Sequence, residues 1–491
     1  MPDTARTTLG DVLGERDGGV LRFRAVPYAA APVGALRFAP PAPADPWEGV
    51  RDSTRPGPIA PQPPSRLRLA MGEFAREQSE DCLTLHIATP EADGARRPVL
   101  VWLHGGAYLS GAGSLDWYDG GPLARSGDLV VVGVNHRLGP LGFLHYPGLA
   151  DGMMGLHDIV AALRFVRDNV AAFGGDPGNV TVMGQSAGGG AILRLLTMES
   201  SVGLFHRAIV QSGPVRRGLA ASEATARAER MMRLLDIDPV ASDAAERLRA
   251  APLDRLIALQ LTIARENARF ASADPAFPPV FDDFVSTESF TDRIAAGAAA
   301  RGIDVMLGTT REEMNAFFVA DPGMAEPAPA AVAERFVALA GSAETIEAYR
   351  RRRPGGTARD LLGDLVTDHM FLLPLLRLAE RLVEAGRRVF VYQFDWGAPG
   401  SLWRACHCIE LPFVFGTRGA WDDAPMLVGM DVAEYDGLSA TMMAAWAGFA
   451  RSGEPALPDL PWPGYDTRRR MTMRLGHQVG AVGDLAGVDA R

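Results

Sequence analysis

The chain contains no lysine. All 49 of its basic residues are arginine, set against 59 acidic ones for a net charge of −10. No stretch clusters arginine with interleaved aromatics, so nucleic acid is not expected as a partner; the acidity reads as solubility. Cysteine is scarce. Three in 491 residues build no disulfide framework. Long apolar runs are missing as well: PVLVWL (98–103) and LVVVGV (129–134) are of strand length, far short of the roughly 20 residues that cross a bilayer. The opening stretch MPDTARTTLGDVLGERDGG has no apolar core of the kind a secretory signal carries. A cytoplasmic protein without a membrane span is therefore expected, and no internal repeat interrupts the reading.

What is present suits a large packed core. Hydrophobic residues make up 47% of the chain and charged ones 22%. Short continuous runs read as buried strands: Arg97–Leu103, Leu129–Asn135, Asn179–Gly184, Arg207–Gly213, Ile303–Gly308 and Arg387–Phe394. Unbroken Val/Leu/Ile, rather than alternation, fits a mostly parallel sheet covered on both faces. Between the strands lie helical patterns. LHDIVAALRFVRDNVAAF places Leu156, Ile159, Val160, Leu163, Val166 and Val170 on one stripe. Strand–helix alternation points to an α/β fold. Two helix-rich segments, about 220–300 and 325–385, are too long for simple crossovers. They read as insertions roofing a site within a single domain spanning 1–491.

The strongest chemical signal is Gly184-Gln185-Ser186-Ala187-Gly188. It follows the β-branched run Val180–Met183 and precedes an apolar helical pattern. Gly-x-Ser-x-Gly between a strand and a helix is a nucleophile elbow, a tight turn that lifts the serine oxygen clear of the sheet. A serine hydroxyl needs a base to take its proton, and the attacked carbonyl needs donors for its developing negative charge. His104-Gly105-Gly106-Ala107 follows the strand Val99–Leu103 and can supply backbone N–H groups; the N–H of Ala187 is a further expected donor. Chain order in α/β-hydrolases puts an acid and then a histidine after the serine. His407, beyond the strand VFVYQFDW, suits that place better than His369, inside a helical pattern, or His477, near the C-terminus. Glu312 and Glu313 both follow the strand IDVMLG, and spacing does not choose between them; adjacent carboxylates point apart, leaving one solvated.

Several longer segments carry a resemblance. FRAVPYAAAPVGALRFAPP, SEDCLTLHIATP, FGGDPGNVTVMGQSAGGG, ACHCIELPFVFG and AWAGFARSGEPALPDLPWPGY together run nearly end to end. The chain resembles the type-B carboxylesterase/cholinesterase family of α/β-hydrolases. That resemblance implies Ser186 as nucleophile, Glu313 as the acid, His407 as the base, and Gly105, Gly106 and Ala187 as oxyanion donors, with no cofactor. It implies Ser212, in VQSG, as a neighbour of the triad, and structural ion pairs Arg37–Glu80 and Arg137–Asp176. The sequence departs from the family at Ala60, where a cysteine partner of Cys82 often stands, so Cys82 is expected free and buried. Gln185 replaces a frequent glutamate beside the nucleophile, which argues against a cationic substrate. Met314 replaces a glycine after the acid.

Cys406-His407-Cys408 invites a metal reading, but no second ligand cluster accompanies it, and none is expected. Tyr108, Leu109, Phe270, Phe317, Phe318 and Trp403 fall in segments expected near the mouth, and as a set favour an apolar or aryl ester. The expected activity is serine carboxylesterase acting on a small-molecule ester. Carbamate or amide cleavage by the same residues is the alternative, and a non-catalytic binding module on the same fold a more distant one. Monomer and weak dimer are both compatible with the sequence.

Overall fold

The computed structural model describes residues 3–281, 286–455, 457 and 459–485. Residues 282–285 of the first expected insertion, positions 456 and 458 of the C-terminal segment, and the two chain ends of the expected 1–491 domain lie outside the described residues. Eleven described strands form one sheet: β1 (Glu15–Asp17), β2 (Val20–Pro27), β3 (Thr84–Thr89), β4 (Arg97–Leu103), β5 (Val130–Val134), β6 (Gly175–Gln185), β7 (Arg207–Gln211), β8 (Asp304–Thr310), β9 (Val389–Phe394), β10 (Thr472–Leu475) and β11 (Gly480–Val482). Their spatial order is β11-β10-β9-β8-β7-β6-β4-β5-β3-β2-β1. The run from β10 to β5 is parallel, and β1, β2, β3 and β11 add antiparallel edges. This is the α/β-hydrolase type of sheet, mixed and mostly parallel.

The strand composition explains the layering. Successive side chains leave a strand on opposite faces. In β4, Val99, Val101 and Leu103 join one apolar cluster, whereas Leu100 and Trp102 join another. Val305 and Leu307 of β8 repeat the first pattern and Met306 the second. Apolar residues at consecutive positions thus serve two cores, one on each side of the sheet.

Helix α1 (Met154–Asn169) carries the expected stripe and tightens into a 3-10 turn, Val170–Phe173. Helix α2 (Ala187–Leu195) leaves the end of β6. The first helix-rich segment contains α3 (Ala221–Leu234), α4 (Leu253–Glu266) and α5 (Thr287–Arg301). The second contains Pro329–Ala340, Ala358–Thr367 and Leu373–Glu384. No helix among the described residues is long and apolar enough to cross a membrane.

One ion pair is as expected and one is not. Arg37 Nε donates to Glu80 Oε2 at 2.7 Å. Arg137 pairs with Asp158, not Asp176: Nη2 donates to Oδ1 at 2.6 Å and Nε to Oδ2 at 2.8 Å. Asp158 sits on α1 against the buried loop that holds Arg137, whereas Asp176 faces outward and pairs with exposed Arg96. Cys82 is free and buried.

Candidate active site

Strand β6 ends at Gln185 and α2 begins at Ala187, so the whole turn falls on Ser186. Its backbone is left-handed, φ 55° and ψ −119°, a strained state for a residue with a Cβ. The turn is held from both sides. The Ser186 N–H donates to Gln211 O at 2.8 Å, and the Gly190 N–H donates to Ser186 O at 2.8 Å. Ser186 keeps part of its surface exposed while its neighbours are buried.

The loop after β4 lies directly across from this turn. A Cβ on Gly105 would stand 2.6 Å from Gln185 Oε1 and 3.1 Å from Ser186 Cβ; the close approach requires glycine. Gly106 has φ 112°, and a Cβ there would strike Ser110 O at 1.9 Å. Among the described residues, the N–H groups of Gly105, Gly106 and Ala187 have no hydrogen-bond acceptor. Ala187 is the first residue of its helix, where the N–H lacks an intrahelical partner. Three unpaired donors thus gather around the Ser186 turn, an arrangement suited to a developing oxyanion.

Glu313 and His407, 94 residues apart, meet in the interior. His407 Nδ1 donates to Glu313 Oε2 at 2.5 Å. Glu313 is fully buried, and its other oxygen accepts from Ser212 Oγ at 2.6 Å and from the Thr310 N–H at 2.8 Å. A buried carboxylate with three donors is a satisfied anion. On the far side of the ring, Gln185 Nε2 approaches His407 Nε2 at 3.1 Å. With Nδ1 donating to the carboxylate, Nε2 carries the lone pair. The Gln185 side chain therefore spans from Gly105 to the imidazole and ties elbow, loop and histidine into one site. Glu312 turns the other way, but into a buried ion pair with Arg353 at 3.1 Å rather than into solvent.

The aromatic candidates divide. Phe317 lies 5.5 Å from the His407 ring, centroid to centroid. Trp403 is half-buried, and its carbonyl accepts from Asn315 Nδ2 at 3.3 Å. Leu109 is buried, its N–H donating to Gly106 O. Tyr108 lines a cavity of about 610 Å³. Among the described residues, the phenylalanine rings set against His407 do not include Phe318 or Phe270. Phe318 turns into a separate apolar cluster with Met314 and Phe336, because consecutive helical residues point about 100° apart. Phe270 is 39% exposed on the surface. Phe371 lies 5.3 Å from the His407 ring, centroid to centroid, with the two planes tilted by 43°. Its segment reads as an ordinary apolar helix, so nothing in the sequence singles it out.

Glu410 also escapes a sequence reading. It is fully buried three residues after His407 and accepts from Gln211 Nε2 at 3.2 Å; Trp446 Nε1 in turn donates to Gln211 Oε1 at 3.1 Å. Its second oxygen has no partner among the described residues. Burial, and then the nearby Glu313 charge, push the Glu410 carboxyl up to about 7. Cys406 and Cys408 are free and buried. Burial and Glu410 raise both thiols well above the usual range, the opposite of what thiolate ligands require. Among the described residues no group of three or more His, Cys, Asp or Glu is placed to hold a metal.

Comparison with known proteins places the whole chain beside carboxylesterases. Residues 2–485 match the model of the carboxylesterase family. Para-nitrobenzyl esterase of Bacillus subtilis is 36% identical over 97% of this chain and 96% of its own. Phenmedipham hydrolase of Pseudarthrobacter oxydans is 37% identical over 99% of this chain and 97% of its own. The crystal structure of a Geobacillus stearothermophilus carboxylesterase superposes with a TM-score of 0.87 at 35% identity, covering 99% of this chain and 98% of that one.

Proposed function

The chain belongs to the carboxylesterase family and is a carboxylic ester hydrolase; on that premise we propose that it works through Ser186, His407 and Glu313 and an acyl-enzyme intermediate. The contact that carries this reading is His407 Nδ1 on Glu313 Oε2 at 2.5 Å, with the lone pair of Nε2 turned toward the elbow. His407 Nε2 takes the Ser186 proton as the oxygen attacks the ester carbonyl, Gln185 yielding its place on that nitrogen. Glu313, locked by Ser212 and Thr310, holds the tautomer and stabilises the imidazolium. The N–H groups of Gly105, Gly106 and Ala187 take the oxyanion. His407 returns the proton to the departing alcohol, then draws one from water as it attacks the acyl carbonyl, and hands that proton to Ser186 Oγ as the carboxylic acid leaves. Phe317 and Phe371 shield the imidazole and suit an apolar or aryl group at the reacting carbon.

A fluorophosphonate probe should add one mass increment to the peptide containing Ser186. Ser186→Ala should abolish both the label and para-nitrophenyl acetate turnover, the latter by about 10⁴-fold or more. Turnover that persists in the alanine variant removes the nucleophile. The name of the phenmedipham hydrolase relative favours a second reading, carbamate or amide cleavage by the same residues. A phenylcarbamate assayed beside the para-nitrophenyl esters separates the two.

A further inference from the structure

The cavity that begins at Tyr108 does not match a wholly apolar substrate. Five arginines and three acidic residues line its volume of about 610 Å³. Two of the acids are already engaged, Asp274 by Arg216 and Glu266 by Arg230. Arg194, on α2, is the most deeply placed of the arginines, 3% exposed. Among the described residues it has no carboxylate partner. Nη1 donates to Gly190 O at 2.9 Å, Nη2 to Arg216 O at 3.4 Å, and Nε to nothing. The guanidinium lies over the rings of Phe281 and Phe290, 5.6 Å from each ring centre. The Tyr108 hydroxyl is buried in the same wall, with no hydrogen-bond partner among the described residues.

The two groups converge. A Cβ on Gly190 would stand 2.8 Å from the Tyr108 hydroxyl and 3.4 Å from Arg194 Nη1. Gly190 lies one helical turn beyond Ser186, a rise of about 6 Å. Tyr108 itself follows the loop of Gly105 and Gly106. Tyr108 and Arg194 thus meet beside Gly190, one helical turn along α2 from Ser186, at the wall of a cavity large enough for a substrate arm.

We propose that this cavity recognises a carboxylate at the far end of the substrate, held by the Arg194 guanidinium and the Tyr108 hydroxyl. The inference rests on the esterase reading and narrows it: the preferred ester bears an anionic arm about four to six bonds from the scissile carbonyl, a reach comparable with the one-turn rise from Ser186 to Gly190. A planar guanidinium beside a hydroxyl donor matches a carboxylate in geometry and charge.

Mono-4-nitrophenyl adipate and its methyl-capped diester form a matched pair, differing only in whether the far carboxylate is free. The wild-type enzyme should favour the free acid by about tenfold to a hundredfold in kcat/KM, chiefly through KM. Arg194→Met should bring that ratio close to one, Arg194→Lys should restore part of it, and Tyr108→Phe should lower it severalfold. The ratio is internal to each variant, so damage to turnover in general does not move it. Should Arg194→Met not fold, Tyr108→Phe carries the test. Hydrolysis of both esters with no preference for the acid, or a preference that survives these substitutions, overturns the anionic arm and leaves the esterase reading intact. Hydrolysis of neither ester overturns both.

Discussion

At the residue scale the most informative group is Glu410. Burial and the adjacent Glu313 raise its carboxyl from the ordinary 4.5 to about 7, while Tyr392, Cys406 and Cys408, which feel its charge, are held uncharged by burial. A carboxyl raised in the folded state favours folding at low pH and loses that advantage as pH climbs from about 4.5 toward 7, where the unfolded chain ionises and the folded one resists. Glu410→Gln removes this dependence. Relative to wild type, the variant should gain on the order of 3 kcal/mol of unfolding free energy between pH 4 and pH 8, read by denaturant titration at both. An equal difference at the two pH values removes the claim that Glu410 is perturbed. None of this is legible in ACHCIELPFVFG, where Glu410 is one polar residue before an apolar run. Ser186 and His407 stand out because their elbow and chain order are themselves sequence patterns. Glu312 and Glu313 do not separate by spacing, since their choice depends on which one faces the interior.

At the scale of elements the loop after β4 is the sharpest constraint. Gly106 has φ 112°, its carbonyl accepts from the Leu109 and Ser110 N–H groups, and a Cβ would lie 1.9 Å from Ser110 O. Gly106→Ala forces the loop to shift, and with it the N–H groups of residues 105 and 106. The expected cost is about 10²–10³ in kcat on para-nitrophenyl acetate, while the fluorophosphonate label still reaches Ser186. An unchanged kcat excludes these amides as oxyanion donors. The central strands were readable because a parallel sheet buried on both faces demands unbroken apolar runs, and β4, β5, β7 and β8 supply them. The antiparallel margin was not. His86 and Thr84 break the apolar run in β3, and β1 and β11 are three residues long, too short for any periodicity to register; the same holds for the four-residue parallel strand β10.

Across the whole molecule, two aspartates carry different loads. Asp158 is fully buried, and its carboxylate takes three donors from Arg137, whose side chain also donates to Ala39 O at 2.7 Å. The pair therefore ties the N-terminal segment to α1 and to the loop beyond β5. Asp176 pairs with an Arg96 that is 71% exposed, where water screens the attraction. Removing one partner of a buried pair strands the other charge, at a cost of about 3–5 kcal/mol; removing an exposed one costs under about 1 kcal/mol. Asp158→Asn should thus lower the unfolding midpoint severely and Asp176→Asn barely, in parallel denaturant titrations followed by tryptophan fluorescence. The family likeness had pointed to Asp176 as the partner of Arg137, because likeness aligns positions without showing which side chains face one another. A larger loss from Asp176→Asn than from Asp158→Asn would mean that the load runs through the outer pair after all.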